Sequence, residues 1–105
     1  MEKQYKTLKE FYPYYLEEHR HPISRLLHFV GTGLLLVILG TSVFSGNYTW
    51  LIPIPLVGYG FAWIGHFFFE KNKPATFQYP LFSLASDFIL FFDLLVGKEK
   101  FRDSN

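Results

Sequence analysis

Two stretches of the chain, residues 26–44 (LLHFVGTGLLLVILGTSVF) and 48–69 (YTWLIPIPLVGYGFAWIGHFFF), contain no Asp, Glu, Lys or Arg. Each reaches the roughly 20 residues that cross a bilayer core as a helix. A helix in a soluble domain keeps a polar stripe, and neither segment has one. Ser45, Gly46 and Asn47 separate them with a turn just long enough to reverse the chain, so the pattern predicts an antiparallel transmembrane helix hairpin. Pro53 and Pro55 fall near the start of the second span, where a missing backbone donor costs least. Gly31, Gly33 and Gly40 in the first span are expected to let neighbouring helices approach closely.

The flanking segments are patterned differently. Over residues 3–18, Tyr5, Leu8, Tyr12, Tyr15 and Leu16 recur at helical spacing opposite lysines and glutamates. This predicts an amphipathic helix in the membrane interface with its tyrosines at headgroup depth, kinked or begun at Pro13. Pro22 disfavours helix at the residue before it, so a break is expected near His21. Residues 70–76 form a second polar loop. Residues 81–97 predict a third apolar helix on which Ser83, Ser86, Asp87 and Asp93 share an arc of roughly 120°, facing either a bundle interior or the surface. The fold class is thus an all-α integral membrane protein of one helical domain, residues 1–105.

Composition agrees with this pattern and excludes several alternatives. Half of the residues are hydrophobic and only 18% are charged, which rules out a disordered chain. There is no cysteine, which removes thiolate nucleophiles, thiolate metal ligands and disulfide scaffolds. A net charge of +1 without a block of like charges leaves no electrostatic footprint for nucleic acid. The first apolar run begins after 25 mostly polar and aromatic residues and is too long for a signal-peptide core, so it is expected to stay in the membrane.

Basic residues set the orientation. Five precede residue 26 (Lys3, Lys6, Lys9, Arg20, Arg25), none lies between the spans, two are in the 70–76 loop and three follow residue 97. The excess of Lys and Arg on the cytoplasmic side then puts both ends of the hairpin there. A third full crossing would carry Lys98, Lys100 and Arg102 to the opposite side, which favours a half-inserted or interfacial third helix.

This topology has a chemical consequence. His28 lies just inside the first span and His66 near the end of the second, so an antiparallel pair holds them at similar depth; His19 and His21 precede the first span on the same side. All four histidines can gather at one membrane surface, with Glu70 one helical turn after His66. Clustered imidazoles hold Zn, Fe or Cu, and three of them, or two plus a carboxylate, leave positions open on Fe(II) for substrate and dioxygen. By arrangement alone, four separate interfacial histidines remain an equal alternative. Two further alternatives are a haem module with two axial histidines and a scaffold that binds nothing. Asp87 could accept a hydrogen bond from a ligand histidine or face headgroups and water. No dinucleotide-binding glycine fingerprint, nucleophile elbow or HExxH motif is present.

Two stretches go further than spacing. His19-x-His21-Pro22-x-Ser24-x-x-x-His28 and Gly65-His66-x-x-x-Glu70-Lys71-x-x-Pro74-Ala75 resemble the paired signatures of the Mpo1-like family of 2-hydroxy fatty acid dioxygenases. The resemblance runs from about Phe11 to Asp93. Family members commonly have asparagine where this chain has His21 and Ser24, and eukaryotic members carry a longer segment between the spans, so this chain resembles a minimal, bacterial, inner-membrane member. The resemblance implies an Fe(II)-dependent dioxygenase of fatty-acid α-oxidation that shortens 2-hydroxy fatty acids by one carbon. It implies His19, His28 and His66 as metal ligands, Glu70 as a fourth ligand or an acceptor behind one, and no assigned role for His21. Arg20, Arg25 or Lys71 would meet the substrate carboxylate. Oligomeric state and chain-length preference are not legible.

Overall fold

Residue 22 is proline, and a proline at the first helical position both starts a helix and ends the previous one. In the computed structural model, which describes residues 5–74 and 77–102, this break separates α1 (Leu8–Glu17) from α2 (Pro22–Ser45). His21 caps α2, its Nδ1 accepting from the Ile23 N–H at 3.2 Å. A 3₁₀ turn (Tyr48–Leu51) leads into α3 (Ile54–Ile64), a π-helix (Gly65–Glu70) continues it, and α4 (Pro80–Leu95) is the last helix among the described residues. No strand occurs among the described residues. Residues 3 and 4 of the amphipathic segment, and Ala75 of the second signature, lie outside the described residues.

The segments Pro22–Ser45 and Tyr48–Glu70 are both long and apolar enough to cross a membrane. Gly46 ends α2 in the left-handed region, φ 73°, which a glycine adopts without steric cost. The chain then returns along α2. A Cβ on Gly65 would stand 2.9 Å from Ser24 Oγ, one on Gly31 3.1 Å from Phe61 Cβ, and one on Gly58 3.0 Å from Leu35 Cδ1. These contacts run in reverse order along the two segments. Gly33 serves α4 instead, against Phe91, whereas Gly40 has no neighbour within 4 Å and does not contribute the packing its sequence position suggested.

The amphipathic segment differs from the expected membrane-surface helix. It begins at Leu8, with Thr7 capping the Glu10 N–H at 3.2 Å, and Pro13 lies inside it. Its apolar side packs on α4: Phe11 and Tyr15 are wholly buried with Tyr79, Leu90 and Leu94. Aromatic pairs such as Phe11–Tyr79, centroids 5.0 Å apart, each contribute about 0.5–1.5 kcal/mol beyond area burial. The phenols serve α4 as well. Tyr12 donates to Asp93 at 2.9 Å and Tyr15 donates to Asp87. The polar arc of α4 therefore faces inward, with Ser83 and Ser86 buried beside it, because the α1 hydroxyls supply the partners that two carboxylates in an apolar helix require.

Candidate metal centre

Each of three histidines is delivered by a different element: His19 by the turn after α1, His28 by the second turn of α2, and His66 by the π-helix. Their rings meet edge to face, with centroids 4.3 Å apart for His19–His28, 4.4 Å for His19–His66 and 5.1 Å for His28–His66. All three are buried, and one ligand nitrogen from each lies within 4.8 Å of the other two.

The hydrogen bonds specify which nitrogen is offered. His19 Nδ1 lies 2.6 Å from the Tyr15 carbonyl, His28 Nδ1 2.8 Å from the Ser24 carbonyl, and His66 Nδ1 2.7 Å from Asn72 Oδ1. A carbonyl oxygen only accepts, so each Nδ1 must carry its proton and each Nε2 keeps its lone pair. The Asn72 amide is oriented by its own donor, Nδ2 to the Glu18 carbonyl at 3.1 Å. The first two acceptors are four residues back in the chain, so helical backbone itself aims these rings. His19 Nε2 is buried with no hydrogen-bond partner. An unpaired polar atom in the interior costs about 1–3 kcal/mol, and a metal bound by the three Nε2 atoms would offset that cost.

Electrostatics agree with a ligand role. Burial pushes the His19 imidazole well below its ordinary value of 6.5, with His28 and His66 adding to the effect, and the neutral ring is the form that binds metal. The donor set fits a divalent transition metal, and imidazole suits Zn, Cu, Fe or Ni without choosing among them. Haem fits poorly. Two axial imidazoles must stand apart across the thickness of a porphyrin, and these rings contact one another directly.

A family model described as 2-hydroxy-palmitic acid dioxygenase Mpo1-like matches residues 5–99. The chain belongs to the Mpo1-like family. No curated protein and no solved structure matches it. The Mpo1-like match includes all three histidines and the Asn72 that orients one of them.

Other expected site residues of this Mpo1-like chain do different work. Glu70 does not join the three imidazoles: one carboxylate oxygen accepts from the Arg20 N–H at 3.1 Å and the other from the His21 N–H. It pins the turn between α1 and α2, and so holds His19 in place. His21 is used as the α2 cap. Arg25, expected at a substrate carboxylate, is buried; its Nε donates to the His19 carbonyl at 2.5 Å, and its Nη1 donates to the Lys100 carbonyl at 2.5 Å and to Glu99 at 3.3 Å. Asp87 meets no histidine. It holds Tyr15, whose ring stacks on His19 at 3.9 Å.

Asn72 and Tyr15 are the residues that sequence reasoning missed as parts of the centre. Asn72 reaches His66 because Lys71 takes a left-handed conformation, φ 61°, which turns the chain so that the Asn72 N–H bonds the His66 carbonyl at 3.0 Å. Gly65 matters equally. With a Cβ 2.9 Å from Ser24 Oγ and 3.2 Å from Ser24 Cα, no larger residue would let the π-helix and α2 come together at the level of the histidines.

Proposed function

We propose that this protein is an integral membrane, Fe(II)-dependent dioxygenase of fatty-acid α-oxidation, acting on 2-hydroxy fatty acids and dioxygen to give products one carbon shorter. The observation that carries this reading is the convergence of three buried imidazoles, each with its Nδ1 engaged by an acceptor so that Nε2 is the nitrogen left for a metal, in a chain of the Mpo1-like family. His19, His28 and His66 hold the metal. Glu70 acts behind them on the α1–α2 turn. Zinc has no redox chemistry, so consumption of dioxygen favours iron among the metals that suit imidazole. Iron held by three histidines would supply dioxygen activation and keep coordination positions for a chelating hydroxy-carboxylate.

The membrane reading rests on where the apolar surface lies. Only 22% of the first apolar segment and 17% of the second are buried inside the protein, whereas the core helix of a soluble protein is mostly buried. Outward residues such as Val37, Leu56 and Phe44 then face lipid, in a hairpin whose basic flanks lie on the cytoplasmic side of a bacterial inner membrane. His28 and His66 lie near one end of the hairpin. A substrate reaching them is amphipathic, with its polar end at the histidines and its tail among helices or lipid.

The test is metal analysis and oxygen consumption by detergent-purified protein loaded with Fe(II), given 2-hydroxy, 3-hydroxy and unsubstituted 16-carbon acids. The expected result is one iron per chain, preference for the 2-hydroxy acid, and loss of both iron and turnover in His19→Ala, His28→Ala and His66→Ala. Equal turnover of all three acids, or stoichiometric iron in the His28→Ala, His66→Ala double variant, would overturn the proposal.

A further inference from the structure

Between α2, α3 and α4 the bundle encloses a cavity of about 150 Å³. Leu35, Gly58, Leu84 and Phe88 make its walls apolar, and Thr32 and Asp87 add the polar groups. Both polar residues connect to the metal centre. Thr32 is one helical turn beyond His28 and is buried with it. Asp87 accepts from Tyr15, whose ring stacks on His19. Leu84, 42% exposed, lies at the outer edge. Thr32 and Asp87 thus stand on the side of the cavity toward the histidines, and Leu84 stands at its outward, apolar side.

We propose that this cavity holds the hydrocarbon chain of the 2-hydroxy acid, and that Gly58 and Leu35 fix how much chain it admits. The inference rests on the dioxygenase reading of the centre. An apolar cavity of about 150 Å³ takes a molecule the size of benzene, about six carbons, so it grips a section of the chain while the remainder passes Leu84 into lipid. Leu35 stands seven residues beyond His28 on α2, about 10 Å along the axis. An extended carbon chain advances about 1.2 Å per bond. A chain anchored at the histidines therefore meets Leu35 and Gly58 about eight bonds from its polar end. Gly58 makes the room there. A Cβ at this position would come 3.0 Å from Leu35 Cδ1, and both residues line the cavity, so an added methyl and the displaced Leu35 narrow it without touching the histidines.

The experiment compares wild type with Gly58→Ala, both Fe(II)-loaded in nanodiscs, on 2-hydroxy acids of 6, 12 and 16 carbons. Gly58→Ala should raise KM roughly fourfold for each methylene excluded, for the 12- and 16-carbon acids only. The 6-carbon acid ends before Gly58, so its unchanged KM also reports an intact centre. An equal rise at all three lengths, or none at any, overturns the assignment. A second arm needs no turnover: a 16-carbon 2-hydroxy acid carrying a diazirine at carbon 9 is photolysed with the wild-type protein and the labelled peptides are sequenced. Label on Leu35, Leu84 or Phe88 that excess unlabelled acid suppresses supports the cavity, and does so even if the protein proves inactive, in which case the dioxygenase reading alone fails. Turnover accompanied by label confined to outward residues such as Phe44 and Ile52 overturns the cavity and leaves the dioxygenase standing.

Discussion

Asn72 offers the most informative perturbation, because its side chain touches the three imidazoles only through the proton on His66. Asn72→Ala removes the 2.7 Å bond to His66 Nδ1 and the 3.1 Å bond to the Glu18 carbonyl. The first loss frees the imidazole to move its proton to Nε2, the nitrogen that must be bare to bind metal. Removing such a partner behind a ligand histidine typically costs 10–100-fold in metal affinity, about 1.4–2.7 kcal/mol. That range matches one lost hydrogen bond of about 1 kcal/mol plus the cost of restoring tautomer and ring orientation. Asn72→Asp should behave differently. A carboxylate accepts from Nδ1–H at least as well as an amide, so metal affinity is kept, while the lost donor to Glu18 lowers thermal stability. Co(II) titration followed in the visible, with thermal unfolding of the same samples, measures both quantities. Wild-type affinity in Asn72→Ala, or equal losses of affinity in the Ala and Asp variants, would refute the tautomer argument.

Other predictions follow from contacts at the same end of the molecule. Gly65→Ala should destabilise the fold by about 1–3 kcal/mol and weaken metal binding, because its Cβ meets Ser24 backbone; Gly40→Ala, with nothing within 4 Å, should instead stabilise by up to about 1 kcal/mol in a thermal melt. Burial lowers the folded-state pKa of His19 below 6.5, so below that pH the unfolded chain takes up a proton that the folded chain refuses. His19 therefore contributes a loss of Tm in the metal-free protein as pH drops from about 6.5, read as the difference in slope between wild type and a His19 variant. His19→Gln should make that decline shallower, and an unchanged slope would count against the buried neutral ring. Single cysteines at Asn47 and Asn72 should label from opposite faces of sealed vesicles; labelling from one face would remove the shared depth of His28 and His66.

The meeting of His28 and His66 was legible because their positions were set by long features. Two charge-free runs fix the ends of two helices, and His28 and His66 sit at ends that a reversal brings together. The break at Pro22 was equally readable, since proline acts locally. What escaped depended on single dihedrals and long-range contacts. Residues 65–70 read as continued α-helix, but they wind as a π-helix with i to i+5 bonds. This places the Glu70 carboxylate on the Arg20 and His21 amides rather than with the imidazoles. Asn72 sits in a polar loop without periodicity, and only the left-handed Lys71 aims it at His66. Arg25 looked like a surface cation because nothing local shows the C-terminal segment folding back to cover it. Tyr12 and Tyr15 matched an interfacial pattern, and their burial depends on acceptors 81 and 72 residues away.

His19 belongs to neither long apolar segment. Two of the three imidazoles are brought together when α2 pairs with the returning chain, but the third arrives in the turn that follows α1, a helix held to α4 by its own aromatic cluster. The pairing of the long segments and the closing of the three-histidine cluster therefore rest on different contacts. The docking of a ten-residue helix brings the third imidazole to the other two. Whatever holds that docked helix also holds the third imidazole, and a metal bound by all three would act as a clasp on the N-terminal helix.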